Sequence, residues 1–340
     1  MREAVIVGAG MMGSAMATPL SDNGFHVRLV GSPLDTAIIE SVRKHGWHPT
    51  LKRRMPERVD AYFVGELREQ LAGADLVVGG VSSFGVRWFE SEVLPLVPDG
   101  TPVVFITKGL EREADNMLLP FPMAMAQRMD KRRGIALCGI GGPCISFELA
   151  DRHQSCVWLC GPDQKQAAEL AGWLRTPYYH LCPTNDIRGI ESAVAMKNAY
   201  ALGVSLAIGM ARKRDADAPE WYNPEAGLFA QATCEARKII ALNGGGPEAI
   251  ACFAGDLYVT VFGGRTRKIG TLLGKGIPYM EAREMLSGVT LESVAIATTV
   301  MESFRDRPDV NVNEFPLLAH IDAIINQGAQ VEIPWDSFAK

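Results

Sequence analysis

The sequence predicts an α/β protein: a doubly wound, mostly parallel sheet followed by an all-α C-terminal domain. Two observations carry this. Through the first half, short β-branched or aliphatic runs alternate with helix-length stretches, the pattern of a parallel sheet covered on both faces. After Pro183 the runs stop, and from Gly189 to Phe304 the chain offers long helix-compatible stretches with no convincing alternating strand. At 340 residues it is long enough for two domains of about 100–200 residues each, placed at residues 1–186 and 187–340.

Taken in order, the expected strands are Ala4–Val7, His26–Val30, Ala61–Val64, Leu76–Val78, Val103–Ile106, Ile135–Cys138, Cys156–Leu159 and Tyr178–Leu181. Gly, Pro, Asp or Ser punctuates each. The polar stretch Arg212–Asn223 reads as an exposed loop. Composition bounds the function. With 47% hydrophobic and 21% charged residues the chain can bury a sizeable core, and its formal charge of -5 argues against a basic surface for nucleic acid or acidic lipid. Seven cysteines form no Cys-x-x-Cys and sit among mostly apolar neighbours, so they read as reduced core residues of a cytoplasmic protein. The start, Met-Arg-Glu followed by a strand, lacks a signal peptide's features. The apolar stretch Ala193–Met210 is too interrupted by Lys197, Asn198 and Gly to be expected to span a membrane. The six histidines show no ligand spacing, and no metal is expected.

The first strand runs into Gly8-Ala9-Gly10-Met11-Met12-Gly13 and then the helix-compatible Ser14–Leu20, a G-x-G-x-x-G turn in strand–turn–helix context. Gly8 permits the tight turn, Gly10 lets backbone approach a pyrophosphate, and Gly13 lets helix pack on strand, which sets the phosphates at a helix N-terminus. The first domain is therefore expected to be of Rossmann type and to hold NAD(P). An acidic residue about 20 positions past the glycines would bind the ribose of NAD. Here Leu29-Val30-Gly31-Ser32-Pro33 has no carboxylate, which leans the cofactor towards NADP. Ser32 is the expected contact for a 2′-phosphate, and Arg43, Lys44 and Lys52–Arg54 supply charge nearby or form a solvated face.

The stretch Gly189–Gly203 is small and apolar on nearly every face, so a helix there is buried, and Lys197 in its middle needs a cleft and a partner. Burial and neighbouring positive charge would lower a lysine pKa towards neutrality, which suits proton transfer to a carbonyl oxygen. Snorkelling to the surface is the alternative, weakened by Asn198 beside it. Lys108 follows the fifth strand, where doubly wound folds bind ligands. Gly263-Gly264-Arg265-Thr266-Arg267-Lys268 joins glycines to clustered cations able to cradle a phosphate.

Together these segments resemble NAD(P)-dependent glycerol-3-phosphate dehydrogenases, from the glycine turn to about residue 300. The landmarks are the glycine turn, Thr107-Lys108-Gly109-Leu110-Glu111, Gly142-Pro143 with Glu148-Leu149-Ala150, Lys197-Asn198, Gly255-Asp256-Leu257 with Thr260, and Gly263-Gly264-Arg265. The resemblance implies a Rossmann domain, a helical domain and an active site between them. It implies Lys197 as general acid/base, with Lys108 and Asp256 as further catalytic residues. Lys108, Asn198, Thr260, Arg265 and Thr266 are then the substrate contacts, Arg265 gripping a phosphate. The cofactor contacts implied are Gly8, Gly10, Met11, Met12, Gly13, Ser32, Phe84, Lys108, Arg265 and Glu292. The implied reaction interconverts dihydroxyacetone phosphate and glycerol 3-phosphate, and a homodimer is left open. Three positions depart from the family: Met12 replaces an aromatic, Cys144 a Ser or Thr, and Thr266 an Asn. The rivals are a dehydrogenase of hydroxyacids or unphosphorylated polyols, whose helix Lys and Asn are usually a turn apart rather than adjacent, and a non-catalytic NAD(P)-binding sensor, which has no need of a cationic substrate pocket.

Overall fold

The computed structural model describes residues 1–217, 219–288 and 290–338. The chain divides into two compact units, Met1–Lys108 with Phe121–Ile187, and Gly109–Pro120 with Arg188–Lys340.

The first unit opens with β1 (Glu3–Val7), α1 (Met11–Asp22), β2 (His26–Val30) and α2 (Thr36–His45). A short hairpin, β3 (Trp47–His48) and β4 (Arg53–Arg54), precedes β5 (Val59–Tyr62), α3 (Leu67–Leu71), β6 (Leu76–Gly79), α4 (Val86–Trp88) and β7 (Val103–Phe105). The chain then crosses to the second unit for a hairpin, β8 (Leu110–Arg112) and β9 (Leu118–Pro120). It returns through α5 (Phe121–Arg128), β10 (Leu137–Gly141), α6 (Ser146–Ala150), β11 (Ser155–Cys160), α7 (Gln164–Leu174) and β12 (Tyr179–Thr184). Eight strands form one sheet in the order β12-β11-β10-β7-β6-β1-β2-β5. Every pairing is parallel except β10 with β11.

All eight expected runs become the eight strands of this sheet, with ends moved by a few residues. β12 runs on to Thr184, and β10 runs on through Gly139 to Gly141 because antiparallel pairing with Trp158–Cys160 keeps those glycines extended. Both faces are covered. Along β1 the period-2 alternation sends Ala4 and Ile6 into one apolar cluster and Val5 and Val7 into the other, all fully buried. Burying each of Val5, Ile6 and Val7 contributes roughly 1.5–3 kcal/mol.

The second unit is helical: α8 (Ile187–Arg214), α9 (Tyr222–Leu242), α10 (Ala249–Val261), α11 (Gly264–Gly274), α12 (Tyr279–Met285), α13 (Glu292–Arg305) and α14 (Pro316–Gln327). The β8–β9 hairpin docks on α13: the Arg112 guanidinium bonds the Asn116 side chain and Asp306, and the Ser303 hydroxyl donates to the Asn116 carbonyl at 2.6 Å. Residues 109–120, read from sequence as part of the first domain, thus belong to the second unit. The expected loop Arg212–Asn223 is shorter than predicted. Helix α8 continues to Arg214 because Arg212, Lys213 and Arg214 complement the negative end of its dipole, and α9 begins at Tyr222. Helix α8 is long and apolar enough to cross a membrane, but 83% of its apolar window is buried within the protein, as in a core helix. None of the seven cysteines is in a disulfide, but the reading that they are core residues holds only for Cys138, Cys160 and Cys252. Cys144 is half-buried, and Cys156, Cys182 and Cys234 are exposed on outward faces.

Candidate active site

In the first unit the glycine turn links β1 to α1. Gly8 adopts φ +107°, and a Cβ there would lie 2.7 Å from the Gly80 backbone. A Cβ at Gly13 would meet the Gly8 carbonyl oxygen at 2.3 Å, so no side chain fits at either position. At Gly10 the nearest atom to a Cβ would be 4.0 Å away, so the space in front of it is open. Gly10 is also the N-cap of α1, which has no side-chain cap and no acid in its first turn. Helix N–H groups unclaimed by side chains, beside open space, fit the pyrophosphate of a dinucleotide. Met11 is exposed and Met12 half-buried at this edge.

Behind the turn lies a constellation that motif reading missed. One carboxylate oxygen of Asp35, at the start of α2, accepts from the Ala9 N–H at 3.0 Å, the Ser32 N–H at 2.8 Å and the Ser32 hydroxyl at 2.6 Å. His48, fully buried, accepts from the Leu51 N–H at Nδ1 over 2.9 Å, so Nε2 carries the proton and donates to the Ala9 carbonyl at 2.8 Å. Burial pushes this imidazole below the usual histidine pKa, although its backbone bonds and Asp35 oppose that. The Ser32 expectation changes accordingly. Its proton is directed to Asp35 and its oxygen also accepts from the Leu34 N–H at 3.3 Å, so in this arrangement Ser32 offers no hydroxyl donor to a ligand. Of the nearby cations, Arg43 pairs with Glu66 and lies over the Phe63 ring, and Arg53 pairs with Asp151.

Phe84 is exposed in the turn after β6. Lys108 follows β7, where the buried Thr107 hydroxyl donates to the Val81 carbonyl at 2.6 Å and ties the ends of β6 and β7 together. Cys144, one of the three departures from the family, packs half-buried against the sheet core.

In the second unit, every residue of α8 from 189 to 209 is buried except Lys197 and Asn198. The opening in this stretch falls at Lys197 and Asn198, whereas its other polar residues Glu191, Ser192 and Ser205 are buried. Lys197 Nζ donates to Asp256 Oδ1 at 2.5 Å, and Asp256 is fully buried on α10. One turn on, the Thr260 hydroxyl donates to the Asp256 carbonyl at 2.6 Å, which fixes its rotamer and leaves its lone pairs available.

Helix α11 begins at Gly264, φ +83°, and has Arg265 exposed and Thr266 half-buried in a first turn without acids. This end of the helix suits an anion. The contact that holds α11 against α8 was also missed, though Gly270-x-x-x-Gly274 is visible in the sequence. A Cβ at Gly270 would lie 2.5 Å from the Leu202 carbonyl oxygen, and one at Gly274 would lie 2.1 Å from that of Leu206. Because 270 meets 202 and 274 meets 206, the two helices run in the same direction. Carrying that register back sets the first turn of α11, with Arg265 and Thr266, level with Lys197 and Asn198. Arg267 turns away, donating to the Val261 carbonyl at 2.7 Å and pairing with Glu220. Glu292 starts α13, half-buried.

Comparison with known proteins gives consistent results. The model described as NAD-dependent glycerol-3-phosphate dehydrogenase N-terminus matches residues 3–167, and the model of the C-terminus of the same family matches residues 186–335. A protein of Archaeoglobus fulgidus named NADP(+)-dependent glycerol-3-phosphate dehydrogenase is 32% identical over 329 residues, covering 96% of each chain. A Mycobacterium tuberculosis protein named glycerol-3-phosphate dehydrogenase [NAD(P)+] 1 is 30% identical over 337 residues, 96% of this chain and 91% of that one. Among solved structures, glycerol-3-phosphate dehydrogenase from Coxiella burnetii superposes with a TM-score of 0.81 over 99% of this chain and 97% of its own, at 22% identity, and so shares the fold. With both halves matched and near full-length relatives at this identity, the chain belongs to the NAD-dependent glycerol-3-phosphate dehydrogenase family.

Proposed function

We propose that the chain is an NAD(P)-dependent oxidoreductase that interconverts dihydroxyacetone phosphate and glycerol 3-phosphate, with Lys197 as general acid/base. The observation that carries the reading is the break in the buried run 189–209 of α8 at Lys197–Asn198, with Lys197 held by a buried carboxylate. The dinucleotide, when bound by the glycine turn and the first turn of α1, supplies the hydride. In the reductive direction Lys197, as ammonium, donates a proton to the carbonyl oxygen and stabilises the alkoxide as it develops. Asp256 keeps the ammonium on its bearing, and Asn198 and Thr260 offer hydrogen bonds to the hydroxyls of a small polyol. Arg265, at the head of α11, binds the phosphate through its planar fork, helped by the helix N-terminus. Lys108, Phe84 and Glu292 complete the proposed set as contacts for substrate or cofactor. Seven cysteines without a disulfide suit a reducing, cytoplasmic setting.

The test is a turnover screen crossing NADH and NADPH with small ketones, phosphorylated and not. Multiple turnovers with dihydroxyacetone phosphate support the reading and exclude a sensor. Better efficiency with any unphosphorylated ketone or ketoacid would overturn the phosphate role of Arg265 and favour the hydroxyacid or polyol rival.

A further inference from the structure

We propose that His48 and Asp35 are positioning residues for the dinucleotide, acting as a two-sided clamp on Ala9 that fixes both peptide planes of the glycine turn. The inference rests on the reading that this turn holds the dinucleotide, and it goes beyond the glycines to residues outside the motif.

Ala9 is fully buried between Gly8 and Gly10. Its N–H belongs to the Gly8–Ala9 peptide and its carbonyl to the Ala9–Gly10 peptide, so the two groups report the orientation of two successive planes. Asp35 holds the first plane through the 3.0 Å bond to the Ala9 N–H. In a trans peptide the carbonyl points opposite to the N–H, so this bond turns the Gly8 carbonyl away from Asp35. That oxygen is the atom a Cβ at Gly13 would strike. His48 holds the second plane through its 2.8 Å bond to the Ala9 carbonyl, which aims the Gly10 N–H away from the imidazole. Gly10 is the N-cap of α1, and its plane leads directly into the first helical N–H groups.

Neither clamp residue is free to turn. His48 has both ring nitrogens engaged, Nδ1 by the Leu51 N–H and Nε2 by Ala9, and no exposed surface. Asp35 is braced by the backbone and hydroxyl of Ser32. A turn whose donors are already aimed loses little freedom when the anion arrives, and affinity gained this way comes from preorganisation rather than from new contacts. The pyrophosphate is common to both dinucleotides, so the clamp serves NADH and NADPH alike.

The experiment measures equilibrium binding of NADH and NADPH by fluorescence titration, alongside thermal unfolding without ligand, for His48→Leu, His48→Gln, Asp35→Ala and Gly10→Val. Leu removes the donor; Gln restores an N–H at the reach of Nε2. The expected result is a dissociation constant raised about tenfold for both dinucleotides in His48→Leu and Asp35→Ala, the loss of roughly one well-placed hydrogen bond's aim. His48→Gln should recover to within about threefold of the parent. Nitrogen NMR of the unliganded protein should show His48 as the Nε2–H tautomer. A Nδ1–H tautomer overturns the proposal, as do parental dissociation constants in folded His48→Leu, or in Asp35→Ala should the leucine variant fail to fold. Gly10→Val separates the two levels: if it binds like the parent, the dinucleotide reading of the turn itself fails. If it abolishes binding while the clamp variants bind normally, only the clamp fails.

Discussion

Lys197 and Asp256 show why a single substitution can mislead at this site. Asp256 is fully buried and Lys197 is only 13% exposed at its side chain, so Lys197→Met removes the proposed proton donor and strands a carboxylate in the core. Breaking such a pair costs roughly 3–5 kcal/mol of stability, and losing a general acid typically lowers rate by about a hundredfold or more. The double variant Lys197→Met/Asp256→Asn separates these effects, because a neutral amide no longer carries the stranded charge. It should regain much of the melting temperature lost in the single variant, while the rate of ketone reduction stays at least about a hundredfold down and NADPH affinity stays near parental. Recovery of rate together with stability would assign Lys197 to structure. At the head of α11, Arg265→Lys keeps the charge but loses the planar fork, so the KM for the phosphorylated ketone should rise while the dinucleotide dissociation constant changes less. Thr266 lacks the amide donors of the family's Asn and fills less space. A four-carbon phosphoketone such as erythrulose phosphate should therefore compete on comparable terms with dihydroxyacetone phosphate, and Thr266→Asn should shift preference back to three carbons. Unaltered kcat/KM ratios between the two ketones in that variant would remove Thr266 from specificity.

Between elements, two contacts turn local sequence into site geometry and stability. The first is the seam of α8 with α11, where backbone touches backbone: besides Gly270 and Gly274, a Cβ at Gly209 would lie 2.2 Å from the Thr271 carbonyl oxygen. Main chain cannot yield as a side-chain tip can, so Gly274→Ala must push the helices apart, at a cost of about 1–3 kcal/mol for overpacking. Because the same seam sets the level of Arg265 against Lys197, the variant should also raise the KM for the phosphorylated substrate, measured below its melting temperature, and leave dinucleotide binding alone. A drop in stability with parental KM would show that the seam holds the fold but not the site. The second contact spans β1, β2 and β5, where His26 bonds Asp60 and Glu3, each at 2.8 Å, with Arg28 also on Glu3. The bonds to Asp60 and Glu3 raise the His26 pKa against a smaller desolvation effect. A raised folded value means that protonated His26 stabilises the fold fully below the free value of about 6.5, and that this stabilisation is lost as pH rises through the folded value. The melting-temperature gap between the parent and His26→Gln should accordingly be widest in mildly acidic buffer and shrink on the alkaline side. A gap that does not vary with pH would mean that the imidazole acts here through packing alone.

For the molecule as a whole, sequence legibility follows the range of the interactions involved. The eight sheet strands and the glycine turn were readable because each is a local pattern of side chains with a period or a steric demand. Lys197 stood out because a charge in an apolar helix is costly wherever the chain folds. The clamp was hidden because Ala9, Asp35 and His48 are far apart in sequence and meet through backbone groups that carry no residue signature. The transfer of residues 109–120 to the second unit depends on Arg112 and Asn116 finding Asp306 and Ser303, nearly two hundred positions away. The same limit applies to the dinucleotide. The absence of a carboxylate in residues 29–33 pointed to NADP, yet Asp35 folds back to within 2.6 Å of the Ser32 hydroxyl. That carboxylate accepts three donors, which spreads its charge and blunts its repulsion of a 2′-phosphate. A chain of net charge -5 offers no general positive field, so the prediction assigns the attraction to cations on α2 and the β3–β4 hairpin. Arg43 and Arg53 already have acidic partners, so Lys44, Lys52 and Arg54, all exposed, are left to supply it. NADPH should therefore bind at least as tightly as NADH in dilute buffer. Exposed charges are screened over about 30 Å at 0.01 M salt and about 8 Å at 0.15 M, so the NADPH advantage should narrow as salt is added while NADH affinity changes less. Replacing Lys44, Lys52 and Arg54 together by Glu should reverse the preference. A strong NADH preference at low salt, or an NADPH preference indifferent both to salt and to those three charges, would move 2′-phosphate recognition to another part of the chain.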